Sequence, residues 1–290
     1  MLLSDFIRDG IARLETLYPS PEARGLVLML CEEKLGTKNY THIIEPQTAI
    51  PAGREAELCG DLDRLCAGEP IQYVLGVAEF CGHRFAVGPG VLVPRPETEL
   101  LVAEGVRALR EADLPDAPRV LDLCTGSGCI AWSVALEVRD AEVVGVDCSE
   151  TALQYARNQF PHPGSGTRYP LFLQADVLDT EQDFPPYGPF DLILSNPPYV
   201  LEPERAQMRR NVLDYEPDLA LFVPDADPLL FDRAIARWAQ RFLRPGGTGA
   251  VEINESLGAE TAAVFAGAGC KNVQILRDFY GKERIIRFQR

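Results

Sequence analysis

The chain has 290 residues, of which 46% are hydrophobic, 24% charged and 8% aromatic. That is enough apolar material for a large core, at a length where one core tends to divide into two domains, and it excludes a disordered or low-complexity protein. The formal net charge of -15 argues against nucleic acid as the main partner, because phosphate neutralisation needs clustered Lys and Arg.

From Leu3 to Leu17 the apolar residues Leu3, Phe6, Ile7, Ile11, Leu14 and Leu17 recur at three- and four-residue spacing, the pattern of one helix face. Asp5 and Asp9 spoil the charged-then-apolar order of a secretory signal, and no apolar run reaches the length of a membrane span, so a cytoplasmic protein without a membrane partner is expected. Helices are also expected over 21–35 and 52–67, which makes residues 1–75 a small helical domain. In 76–95, glycines and a proline punctuate short apolar stretches such as Phe85-Ala86-Val87 and Val91-Leu92-Val93, which predicts a β-hairpin linker. A helix should start near Glu97, after Pro96.

From residue 119 the pattern alternates. Strands are expected at Val120–Leu123, Glu142–Asp147, Leu171–Asp176, Phe190–Ser195 and Gly249–Ile253, with helices near 128–138, 150–159 and 228–242. Such alternation marks an α/β fold with a parallel sheet covered on both faces. Two late strands, Val273–Leu276 and Arg284–Phe288, flank the turn Asp278-Phe279-Tyr280-Gly281. The eight cysteines contain no Cys-x-x-Cys pair, so buried reduced thiols are expected rather than a metal site or disulfides.

The segment Val120-Leu121-Asp122-Leu123-Cys124-Thr125-Gly126-Ser127-Gly128 runs a buried strand into a glycine turn and then a helix. Such a turn brings backbone close to a ligand, and the helix start offers free N–H groups. Asp147 ends the next strand, where a carboxylate can accept both hydroxyls of a ribose. The run Gly126-Ser127-Gly128-Cys129-Ile130-Ala131 also fits a dinucleotide fingerprint, so a nicotinamide enzyme is one reading and an S-adenosylmethionine enzyme the other. Asp122 within the strand, and the lack of an obvious hydride-transfer site later in the chain, favour the second.

Asn196-Pro197-Pro198-Tyr199 follows directly on the strand ending at Ser195, on the edge where open α/β sheets bind ligands. Two prolines remove two backbone donors and leave the Pro197 carbonyl free to accept. Asn196 adds a side-chain oxygen, and Tyr199 a flat ring. Two acceptors and a ring suit an N–H2 nucleophile, whose protons are engaged while its lone pair is aimed. A plain strand-to-loop turn is the alternative.

With these residues in place, the chain resembles the HemK/PrmC family of protein-(glutamine-N5) methyltransferases, which act on class I peptide chain release factors. The likeness spans nearly the whole chain. It rests on Gly68-Glu69-Pro70-Ile71-Gln72-Tyr73-Val74-Leu75-Gly76, Val93-Pro94-Arg95-Pro96-Glu97-Thr98-Glu99, the glycine turn, Asn196-Pro197-Pro198-Tyr199, and Tyr215-Glu216-Pro217 with Ala220-Leu221. The resemblance implies a Rossmann-like class I methyltransferase domain over 96–290, built on a mostly parallel seven-stranded sheet. It further implies methyl transfer from S-adenosylmethionine to the amide nitrogen of the glutamine in a Gly-Gly-Gln motif. Cys124, Thr125, Gly126, Ser127, Gly128, Asp147 and Val177 would bind the cofactor, and Asn196 both cofactor and substrate. Asn196, Pro197 and Tyr199 would be catalytic, Pro198 would complete the glutamine pocket, and residues 1–75 would dock the release factor. Departures from the family pattern are Cys124 for a usual glycine, Val177 for an aromatic in some members, 222–225 for a glycine-rich stretch, and Asn254 within Ile253-Asn254-Glu255-Ser256 for a usual Ile-Gly.

The motif after the fourth strand is shared with adenine methyltransferases, so a DNA adenine N6-methyltransferase is the rival enzyme. That enzyme would need a basic target-reading surface and a pocket for a flipped base. A non-catalytic adaptor with a vestigial cofactor fold is the rival of another class, and the presence of both Asp147 and Asn196 speaks against it.

Overall fold

The computed structural model describes residues 1–112, 114, 117–162, 164, 166–179 and 187–290. It divides into two compact units, Met1–Val77 with Arg209–Tyr215, and Ala78–Met208 with Glu216–Arg290.

The smaller unit is helical: α1 (Leu3–Leu14), α2 (Ser20–Leu35), α3 (Thr41–Ile44), α4 (Ala52–Cys66) and α5 (Ile71–Leu75). The apolar stripe of α1 buries Leu3, Phe6, Ile7 and Leu14 against Val27, Leu30, Leu58 and Leu62. At Gly10 a Cβ would stand 3.1 Å from Val27, so the missing side chain lets α1 and α2 approach closely. Helix α1 stops at Leu14 instead of reaching Leu17, which is exposed. Glu15–Leu17 form turns beyond it, and Tyr18, which precedes Pro19, is disfavoured from helical geometry. Helices α3 and α5 are too short to leave a periodic signal. Arg209–Tyr215 joins this unit through an Arg209–Glu22 ion pair and a Tyr215 hydroxyl donating to the Ala67 carbonyl at 3.1 Å.

The larger unit begins with the hairpin β1 (Val77–Phe80) and β2 (His83–Ala86). The hairpin expected within 76–95 occupies the first part of that range. Its turn is Cys81-Gly82, both residues at positive φ (49° and 72°), which matches the twist of a two-residue hairpin loop. Val91 and Val93 are buried but form no strand. A 3-10 turn at Pro96–Thr98 then leads into α6 (Glu99–Glu111).

The alternating elements follow: β3 (Arg119–Leu123), α7 (Cys129–Glu137), β4 (Glu142–Asp147), α8 (Glu150–Arg157), β5 (Leu171–Gln174) and β6 (Phe190–Ser195). After a 3-10 turn at Glu202–Gln207 come the one-turn helices α9 (Arg210–Leu213, in the segment belonging to the smaller unit) and α10 (Asp218–Leu221). The chain ends with α11 (Leu230–Phe242), β7 (Leu243–Glu252), α12 (Gly258–Gly267), β8 (Lys271–Arg277) and β9 (Glu283–Gln289). Strand β7 starts earlier than expected because Leu243 already pairs with Phe190, with a register shift before Thr248 meets Leu192. Helix α12 escaped notice because its small residues, Gly-Ala-Glu-Thr-Ala-Ala-Val-Phe-Ala-Gly, carry little amphipathic pattern.

The sheet order is β5-β4-β3-β6-β7-β9-β8, parallel except for β9, which runs antiparallel to both β7 and β8. The chain lays β4 and β5 on one side of β3 and then returns to place β6 on the other. Between the carboxyl ends of β3 and β6 this reversal opens a crevice, the position where such sheets take their ligands. Trp132, Leu153 and Phe172 fill the core on one face of the sheet, and Ile193, Trp238 and Phe265 on the other.

Candidate active site

At the end of β3 the chain turns through Cys124–Gly128 into α7. Asp122 holds this turn from below. Its Oδ2 accepts the Thr125 hydroxyl at 2.5 Å and the Ala131 N–H at 3.1 Å, tying the turn to the first turn of α7. Burial pushes its carboxyl up to about 7, against the pull of those hydrogen bonds. Cys124, Gly126 and Gly128 all have φ between 54° and 78°, the left-handed region. At position 124 a glycine would be free of the Cβ penalty that cysteine carries. Gly128 has a second constraint, since a Cβ there would lie 2.9 Å from the Cβ of Ala156 in α8.

Asp147 ends β4 beside this turn. Its Oδ2 accepts from the Gly126 N–H at 2.8 Å and its Oδ1 from the Ser149 N–H at 2.9 Å. Burial raises its pKa, and the two backbone N–H groups oppose that rise by stabilising the charge. Each oxygen keeps a further lone pair, so the carboxylate still has two acceptor sites for hydroxyls.

Above these residues lies a cleft of about 1120 Å³, counted with its open mouth. Of the residues singled out in the sequence, Cys124, Thr125, Gly126, Ser127, Asp147, Val177, Asn196 and Pro198 line it. Gly128, Pro197 and Tyr199 do not. Gly128 caps α7 from within the turn, and Pro197 is buried.

Asn196 leaves β6 with its Nδ2 donating to the Thr98 hydroxyl at 3.2 Å. The strand end below it is fixed by Ser195, whose hydroxyl donates to the Leu123 carbonyl at 2.8 Å. The Tyr199 hydroxyl donates to Glu252 Oε1 at 2.8 Å. Burial, followed by the nearby Glu252 charge, pushes the Tyr199 pKa well up, so the phenol stays neutral. Burial also raises the Glu252 carboxyl, opposed by the Thr98 and Tyr199 hydroxyls and by the charge of Arg284. Asn254, at a position where the resembled family has glycine, pins the loop after the motif: its Nδ2 donates to the Tyr199 carbonyl at 3.1 Å and to Glu204 Oε2 at 2.9 Å. Glu216 joins two walls of the cleft, accepting from Arg95 at 2.6 Å and from the Val93 N–H at 3.0 Å.

Sequence reasoning had not assigned roles to Thr98, Glu216, Glu252 or Asn254. One signal was present for Glu252, an ionisable residue closing the apolar run Ala250-Val251 where a central strand has no water to offer it. Among the described residues no group of three or more His, Cys, Asp and Glu could hold a metal ion, and no helix is long and apolar enough to cross a membrane. All eight cysteines are free thiols.

A methyltransferase domain model matches residues 115–263, and a PrmC N-terminal domain model matches residues 5–76. The fold and this match define the chain as a methyltransferase. Release factor glutamine methyltransferase from Bacteroides thetaiotaomicron is 41% identical over 98% of this chain and 98% of its own length. The protein of that name from Flavobacterium psychrophilum is 34% identical over 99% of both chains, and that from Neisseria gonorrhoeae 41% identical over 95% of this chain and 94% of its own. The chain belongs to the release factor glutamine methyltransferase family.

Proposed function

We propose that this chain transfers a methyl group from S-adenosylmethionine to the side-chain amide nitrogen, N5, of the glutamine in the Gly-Gly-Gln motif of class I peptide chain release factors. The observation that carries the reading is the setting of Asn196. Its amide nitrogen is engaged by Thr98 while the residue lines a cleft whose other wall is the Cys124–Ser127 turn. Anchored in this way, Asn196 turns its acceptor oxygen to the substrate side.

The residues present fit the cofactor. The left-handed turn keeps side chains off the cleft floor at Gly126, Asp147 offers acceptors for ribose hydroxyls, and Val177 supplies an apolar contact for an adenine ring. Bound there, S-adenosylmethionine supplies an electrophilic methyl group. The chain has to orient a poor nucleophile, because an amide lone pair is delocalised into its carbonyl. Asn196 Oδ1 accepts an amide proton, and Pro198 closes the wall beside it. Holding the nitrogen in line is the main catalytic task, since misplacement by about 1 Å can cost on the order of a hundredfold in rate. Residues 1–75 dock the release factor, and the enzyme works in the cytoplasm with its substrate.

The test is incubation with S-adenosylmethionine and a class I release factor, with duplex DNA in a parallel tube, followed by location of any added methyl by peptide mass. A methyl group on the Gly-Gly-Gln glutamine supports the reading. Methylated DNA with an unmodified factor overturns it.

A further inference from the structure

We propose that the tip of the β8–β9 hairpin, Phe279 with Tyr280, is a docking surface for the release factor, packing on an apolar patch of the face from which the factor presents its glutamine. The inference rests on the glutamine reading above and adds a second contact with the same partner, beyond residues 1–75.

Phe279 is fully exposed and Tyr280 is 88% exposed, the highest values for large apolar side chains among the described residues. The turn itself does not ask for them. Tight turns are built from Gly, Asn, Asp, Ser and Pro, and here Asp278 supplies the bracing. Its Oδ1 accepts from the N–H groups of Tyr280 at 2.9 Å and Lys282 at 3.0 Å, while the Gly281 N–H returns to the Asp278 carbonyl at 2.9 Å. Arg277 closes the other side by donating to the Gly281 carbonyl at 2.7 Å. The rings therefore stand on a backbone that is already fixed, which lowers the ordering cost of binding. Aromatic side chains presented in this way are the kind that carry binding energy at protein interfaces, and a pair of them left in water marks an interaction site.

The fold puts this tip on the reactive edge. Strand β9 runs antiparallel to β7 with Ile285 opposite Glu252, so the turn that precedes β9 lies beyond the carboxyl end of β7. Contacts lead from there to the reactive motif. Lys282 Nζ pairs with Glu255 at 2.8 Å, and Arg284 with the same carboxylate at 3.6 Å. One residue earlier, Asn254 donates to the Tyr199 carbonyl at 3.1 Å, next to Pro198 in the cleft wall. A factor that inserts a glutamine side chain into the cleft must bring the surface around its loop against this edge. Charge then selects the chemistry of the partner. Asp278 pairs with Arg284 at 3.0 Å, Lys282 with Glu255 and Arg277 with Glu283, so what the tip presents is two neutral rings. Nucleic acid or an anionic membrane needs uncompensated Lys and Arg, which a chain of net charge -15 does not offer here, whereas an apolar protein patch needs none.

The test is the double variant Phe279→Ser with Tyr280→Ser, since serine suits a turn. Calorimetry of the full-length enzyme, loaded with S-adenosylhomocysteine, against a class I release factor should show Kd raised at least about tenfold. KM for the factor should rise with it, while single-turnover methyl transfer at saturating factor and cofactor affinity stay within about twofold of wild type, the signature of lost uniform binding. Phe279→Leu with Tyr280→Phe, which keeps the tip apolar, should retain most of the affinity. A serine variant that binds the factor within about twofold of wild type overturns the proposal, and so does a loss confined to the rate at saturation. Sedimentation of the wild-type enzyme with phosphatidylglycerol vesicles, or a wild-type dimer in light scattering, abolished by the serine pair, assigns the tip to a membrane or to a second copy and overturns it as well. The position of the methyl group added by the wild-type enzyme decides the glutamine reading separately, and the ratio of the two Kd values decides this one wherever that methyl lands.

Discussion

Replacing Gly128 by alanine tests the geometry of the cofactor turn. Gly128 has φ 78°, and a Cβ there would stand 2.9 Å from the Cβ and 3.1 Å from the Cα of Ala156, with Phe172 also at 3.1 Å. The left-handed conformation costs an L-residue about 1–2 kcal/mol. The overlap cannot be relieved by swinging a flexible side chain, because Ala156 has none, and overpacking of this kind costs about 1–3 kcal/mol. The expected loss for Gly128→Ala is therefore about 2–5 kcal/mol. Gly126→Ala is the matched control. Its φ is 54°, but its Cβ would meet only Val91, at 4.0 Å, so it should lose the conformational part alone, about 1–2 kcal/mol. Urea unfolding followed by tryptophan fluorescence suits both variants, since the two tryptophans, Trp132 and Trp238, lie in the larger unit. Trp132 donates to the Ala156 carbonyl at 2.8 Å and so reports on the contact being strained. If Gly128→Ala unfolds at the same urea concentration as Gly126→Ala, the close packing of turn against α8 is not what demands glycine at 128.

Asn196→Ala should reduce single-turnover methyl transfer on the order of a hundredfold, whereas Tyr199→Phe, which keeps the ring and drops only the bond to Glu252, should lose less; equal losses would contradict the orienting role of Asn196. Asp122→Asn concerns pH. The folded-state carboxyl is raised to about 7 from an unfolded value of 3.8, so the folded state holds the proton more tightly and wild-type stability falls as pH rises through that window, by about 4 kcal/mol in all. The variant should lack this slope, and parallel stability curves for the two proteins between pH 4 and 8 would refute the shift. Cys148 is exposed and lines the cleft, with a thiol raised by partial burial and by the charges of Asp147 and Asp176. Alkylation there should quicken as pH rises above 8 and slow when S-adenosylmethionine is bound; peptide mass mapping that finds Cys148 labelled equally with and without the cofactor would remove Asp147 and its neighbours from the cofactor site.

The strands β3, β4 and β6 and the helices between them were legible in the sequence because each announces itself locally. A run such as Phe190-Asp191-Leu192-Ile193-Leu194-Ser195, buried along nearly its whole length, needs no distant partner to be recognised as a central strand. The cofactor turn and Asn196-Pro197-Pro198-Tyr199 were legible for the same reason, as glycine and proline restrict their own backbone. The hairpin was legible only as a range, because Cys81 takes a positive φ that its residue type does not advertise, and pairing between β1 and β2 fixes the turn there. The ring of Tyr199 was legible, but the commitment of its hydroxyl to Glu252 was not, because that strand reaches it only through the sheet. Asn196 of the loop after β6 meets Thr98 at the entry to α6, and Tyr199 meets Glu252 of β7, because buried polar groups need partners wherever the fold brings them together. No local pattern encodes that meeting, because it exists only once the parallel strands are in register.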